Sequence, residues 1–194
     1  MDLSNRIDAA LSLHVRRIAD KTRDLKLDGK ARDPVARIAA LEKQLDALLQ
    51  AQPAQLLAAV LAAVAEGVEP GGPPVALDPH HVDVLAAYDR LCKQVLGVAE
   101  QRLGKLPASA GHALAASRQR LKKGAREGRA QLEQRLERHS ATVRKAGAER
   151  REAVRAAVAA ERLAEQTTRR RARALWIGAL SVLLGSALIL WLRR

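Results

Sequence analysis

Residues 169–194 read RRRARALWIGALSVLLGSALILWLRR, and residues 174–192 of this stretch are 19 positions without a charge. As a helix they span about 28 Å, close to the ~30 Å hydrocarbon core of a bilayer. The run is apolar on every face, whereas a helix covering a small bundle keeps one polar face. Trp176 and Trp191, the two tryptophans of the chain, stand near its two ends, where interfacial aromatics belong. This pattern predicts a single C-terminal transmembrane helix. Two residues follow it, which makes it a tail anchor.

The flanking arginines predict its orientation. Arg169, Arg170, Arg171 and Arg173 precede the run; Arg193 and Arg194 follow it and are partly offset by the terminal carboxylate. The larger cluster favours the cytoplasmic side. The opening MDLSNRIDAALSLH has no basic region leading into an apolar core, so it does not read as a secretory signal. The expected location is the inner (cytoplasmic) membrane, single-pass, with the N-terminus in the cytoplasm. The arginines then sit among anionic headgroups, each contributing on the order of 1 kcal/mol. Within the run, Ala174, Gly178, Ser181 and Gly185 share one face at 4–3–4 spacing. Small residues allow two membrane helices to approach closely, so this face is a candidate for self-association.

Upstream of the anchor the charge is uneven. Residues 1–117 carry 14 basic and 14 acidic side chains, whereas residues 118–173 carry 18 and 7. The segment 108–173 has no proline after Pro107 and predicts one long basic helix. Leu121, Leu132, Val143 and Val154 recur every eleven residues. Ala125, Leu136, Gly147 and Val158 repeat that spacing four positions later. Eleven residues make three turns at 3.67 per turn, so the stripe stays nearly straight. Leu121, Leu132, Leu136, Val143, Val154 and Val158 form the expected seam of a coiled-coil-like helix roughly 100 Å long at 1.5 Å per residue. Its four glycines, each up to ~1 kcal/mol worse than alanine, predict marginal stability without a partner.

Residues 1–104 predict a helical head with a linker at 67–79, GVEPGGPPVALDP. Ser4 is a candidate N-cap for a first helix carrying Ile7, Leu11, Val15, Ile18 and Leu25 on one face. Asp28-Gly29 ends it, and Asp33-Pro34 starts a second helix with Ile38, Leu41, Leu45 and Leu48 as its seam. Pro53 predicts a break or kink, after which a third apolar helix runs to Gly67. Asp78-Pro79 starts a fourth, with Leu85, Cys92, Leu96 and Leu103 on one stripe and Val84, Tyr88, Leu91 and Val95 beside it. Aromatics are 2% of the chain and strand patterns are absent, so the fold class expected is all-α: a helical bundle or hairpins, a long basic helix and the anchor.

No reaction is spelled out. The chain has no phosphate-binding glycine loop, dinucleotide turn, nucleophile elbow or HExxH. The lone Cys92 lies on an apolar stripe and fits a core position. His80 and His81 are adjacent on a helix, about 100° apart, and lack metal-ligand spacing. No enzyme, cofactor or metal is expected.

Three roles fit the basic segment. It can be a stalk pairing with another chain, a helix lying on an anionic leaflet, or a holder of nucleic acid or ribosomal RNA through phosphates. The stalk ranks first, the leaflet second and nucleic acid third; with no aromatic between Tyr88 and Trp176 for base stacking, nucleic-acid contacts would be to phosphates and insensitive to sequence. The overall expectation is a non-enzymatic, tail-anchored scaffold, tether or adaptor that forms a homo-oligomer through its long helix or anchor. Alternatives are a membrane-tethered nucleic-acid- or ribosome-binding protein and a component of a bacterial envelope assembly for secretion, conjugation or phage lysis. A bacterial source fits the excess of arginine over lysine, 25 to 9. The tail is similar in architecture to small bacterial inner-membrane proteins with a helical cytoplasmic body and an anchor ending in two arginines, some of which associate with ribosomes. It lacks the Asn-Pro-Trp lead-in and the denser glycines of those tails.

Overall fold

The computed structural model describes residues 2–25, 33–68, 75–103 and 110–192. They form four helices and one short 3-10 turn, with no strand among the described residues. The helices are α1 (Leu3–Asp24), α2 (Pro34–Ala65), α3 (His81–Leu103) and α4 (Gly111–Leu192), and the 3-10 turn is Asp78–His80. The all-α expectation therefore holds. The proposed helix end at Asp28-Gly29, positions 69–74 of the linker, and Arg193 and Arg194 lie outside the described residues.

The chain divides into two compact units, Met1–Arg144 and Lys145–Arg194, with α4 continuous through the division. The first unit takes in the head and about the first half of the segment, 118–173, that charge alone groups with the basic arm. Its α1 packs on both α2 and α3, and α2 packs on α3.

α1 buries Ile7, Leu11, Val15 and Ile18 of the predicted face; Thr22 extends the buried stripe, and Leu25, just past the helix, is half-buried. Its N-cap is Asp2 rather than Ser4, which already lies in the first turn, and the Asp2 side chain makes no capping bond. The other end is held from outside: the Arg102 guanidinium of α3 donates to the Arg23 and Leu25 carbonyls. These are carbonyls with no further turn to bond, and a cation there also suits the helix dipole.

α2 begins as expected. Asp33 accepts from the Val35 N–H at 3.0 Å, and Pro34 occupies the first turn, where a missing N–H costs nothing. It does not break at Pro53. The helix runs through the proline, so the described residues of 4–104 make three α-helices where the sequence reading has four. An internal proline forfeits a hydrogen bond and costs about 3 kcal/mol. Here its ring is buried between helices, and Gln52 beside it is buried but satisfied, donating to the Leu48 carbonyl (2.8 Å) and paired with His14 of α1 (2.9 Å). The buried stripe passes from Leu45 to Leu49, leaving Leu48 half-buried, because a 3.6-residue period drifts off a strict 3–4–3 seam.

In α3 the buried stripe is Val84, Tyr88, Leu91 and Val95, with Cys92 and Leu103; Leu85 and Leu96 lie at its edge. The weighting of the two adjacent stripes in the sequence is thus reversed. α3 is wedged between neighbours on two sides, and the side bearing Tyr88 receives α4.

α2 is also the one helix among the described residues that is long and apolar enough to cross a membrane, by length and composition. Residues 47–65 carry no charge. Its stripe Leu49, Leu56 and Val60 is fully buried inside the bundle, so the same residues that satisfy a hydropathy test supply the head's core.

Candidate interaction surfaces

The N-terminal part of α4 closes the bundle. Its buried positions are Ser117, Leu121, Ala125, Gly128, Leu132, Leu136, Ser140 and Val143. All but Ser140 fall in three interleaved eleven-residue series: 117 with 128, 121 with 132 and 143, and 125 with 136. The repeat is therefore the stripe that seats α4 against its own chain. Beyond the head it runs on uncovered: Val154 is 63% exposed and Val158 41%.

Two glycines permit this seat. A methyl group at Gly128 would stand 2.0 Å from the Tyr88 hydroxyl and 3.5 Å from Pro53 Cγ; one at Gly124 would stand 2.9 Å from Asp46 Oδ1. The helix weakening that these glycines carry is exchanged for close approach of α4 to α2 and α3. The Tyr88 hydroxyl is buried without a hydrogen-bonding partner among the described residues. Burial, with the Cys92 thiol one turn on, pushes its pKa far up. Burial likewise pushes the Cys92 thiol up to about 11, which keeps it a thiol and an inert core residue at neutral pH.

Basic residues of α4 reach acids of the head along its whole seat. Arg120 grips Glu42 of α2 with two donors, the longer at 2.8 Å. Arg129 meets Asp89 of α3 at 3.2 Å, and Arg144 meets Asp78 of the 3-10 turn at 2.9 Å. The hydrogen bond from Arg120 outweighs partial burial and holds the Glu42 carboxyl below its ordinary value. Sequence reasoning missed these pairings. The available signal was the neutral head beside a basic segment, which implied acids in need of partners but not which ones.

The remaining predicted positions fall as follows. His80 faces Asp83 at 3.8 Å, while the His81 Nε2 pairs with the Ser140 hydroxyl at 3.1 Å, so the two histidines serve different elements. No group of three metal-ligating side chains occurs among the described residues. From 148 to 173 every side chain is exposed, including Arg169, Arg170, Arg171 and Arg173. Helix α4 continues through the apolar run to Leu192. Trp176 is 73% exposed, Gly178 has open space around it, and the Ser181 hydroxyl donates to the Ile177 carbonyl at 2.8 Å. The side chains of Ala174, Gly185 and Trp191 lie outside the described residues. No family model, curated protein or solved structure matches this chain.

Proposed function

We propose that the protein is a non-enzymatic membrane-anchored scaffold or adaptor: a four-helix cytoplasmic head, an exposed basic arm and a membrane span at residues 174–192. The observation that carries this reading is the continuity of α4. One helix begins as a wall of the head, leaves it near Arg144 and reaches Leu192 without interruption. The far end is charge-free over 19 residues and carries aromatics near both ends, the composition of a span. The four arginines before it favour a cytoplasmic head. Small residues at 174, 178, 181 and 185 offer a packing face for a second anchor, and Val154 and Val158 offer one on the arm.

Alkaline carbonate extraction of membranes tests the anchor. The full chain is expected in the pellet and a version ending at residue 173 in the supernatant; extraction of both would overturn the span. Protease added outside intact spheroplasts is expected to leave the head whole.

The exposed arm favours a second reading. Residues 145–173 carry nine basic and four acidic side chains, an excess that phosphate contacts could use. Without exposed aromatics before Trp176, such binding would be insensitive to sequence and steeply dependent on salt. Ribosomes or nucleic acid co-purifying with the full chain at low salt would promote it over self-association.

A further inference from the structure

The head carries its charge on two sides. Glu42, Asp46, Asp78 and Asp89 lie toward α4, where arginines of that helix meet three of them. The side built by α1 is the opposite in sign. A cleft of about 790 Å³ runs between α1 and α3, with Arg16 and Arg90 on its walls and Ala9, Ser12 and Ala19 among its small lining residues. A second cleft, between α1 and α2, is floored by alanines and walled by Arg17. Leu13, 51% exposed, forms the ridge between the two. One acid lines each cleft and both are already paired, Asp20 with Arg23 at 3.6 Å and Glu66 with Arg6 at 3.3 Å. Arg16, Arg17 and Arg90 have no carboxylate partner among the described residues.

From this geometry we infer that the α1 side of the head docks an acidic amphipathic helix of a partner protein. Such a helix would lay its apolar stripe along Leu13 and present carboxylates to Arg16 and Arg90. The seat of α4 on the opposite side uses the same design with the signs exchanged: a narrow apolar stripe, small residues for close approach, and ion pairs at the margins. Helix-in-groove recognition supplies the affinity through the stripe and the register through the charges. A second copy's arm is excluded as the occupant by its own basic charge. A nucleic acid finds no exposed aromatic on the clefts to stack on, and a flat bilayer cannot enter them. The inference rests on the head alone and is independent of the membrane span.

The test uses the full chain in phosphatidylcholine nanodiscs and a fluorescein-labelled model helix with leucines at 3–4 spacing and glutamates elsewhere. Anisotropy is expected to show saturable binding of this peptide and none of its lysine counterpart. The double variant Arg16→Glu/Arg90→Glu is expected to weaken binding by at least about tenfold, whereas Arg155→Glu/Arg162→Glu, the same charge change on the arm, leaves it within about twofold. Leu13→Glu, at an exposed position, is a second disabling variant, and circular dichroism confirms that each variant is folded. Absence of peptide binding would overturn the inference, as would equal loss in both double variants. So would an Arg16→Glu/Arg90→Glu variant that keeps the peptide but loses phosphatidylglycerol vesicles or an RNA oligonucleotide.

Discussion

Tyr88 and Gly128 illustrate how a single contact sets the spacing of this bundle. The tyrosine hydroxyl occupies the space that a β-carbon at residue 128 would need. Gly128→Ala therefore overpacks the α3–α4 contact and is expected to destabilise the head by about 1–3 kcal/mol despite alanine's better helix propensity. Tyr88→Phe removes a buried, unpartnered hydroxyl and is expected to be neutral or stabilising. It should also absorb part of the Gly128→Ala penalty, the ring Cζ still lying 3.0 Å from the added β-carbon, which a double-mutant cycle in urea would reveal as a coupling. Glu42 supplies a prediction in pH. Its carboxyl pKa is lowered in the folded state, mainly by the hydrogen bond from Arg120. The folded protein thus binds that proton less readily than the unfolded chain does. The pair contributes stability above the carboxylate's unfolded pKa and loses it as pH falls through the folded value. Glu42→Gln should lower the melting temperature at neutral pH, and the gap from the parent should close in acid.

At the scale of the element, α4 has one stripe and two environments. Leu132 is fully buried against the head, and Val154, two repeats beyond it in the same series, is mostly exposed. Leu132→Ala is expected to cost about 2–5 kcal/mol of head stability. Val154→Ala should leave the melting curve in place and change only self-association, measured by sedimentation in detergent. The eleven-residue spacing is visible in the sequence, and its members Leu121, Leu132 and Val143 are buried. What covers it was not visible, because Leu121, Leu132 and Val143 would look the same facing a second chain or facing α2 and α3. Pro53 is the converse case. The local rule against a proline within a helix is sound, and burial of its ring in the bundle overrides it.

At the scale of the molecule, the division at Arg144–Lys145 sets which parts depend on one another. Among the described residues, all the buried core positions, from Ile7 to Val143, lie within residues 1–144. A fragment of residues 1–144 is expected to fold and to melt within a few degrees of the full chain in detergent. A fragment cut at residue 104 should melt far lower, because it exposes the stripe that α4 covers and strands Glu42 and Asp89 without their arginines. Calorimetry of the two fragments decides this.

The sequence alone determined that the chain is helical, where α2 begins, which face of α1 is buried and how the stripe of α4 repeats. Each of these follows from spacing or from a cap within a few residues, and such signals are local. It also set the charge boundary near residue 118 and the charge-free run at 174–192, which are matters of composition. Tertiary structure decided which of two neighbouring stripes on α3 is buried, that α2 continues through Pro53, and that the eleven-residue seam first serves the chain's own head. Those outcomes depend on which helices meet. Contacts between residues 78 positions apart, such as Glu42 with Arg120, leave no mark in either neighbourhood beyond an acid on one helix and a base on another.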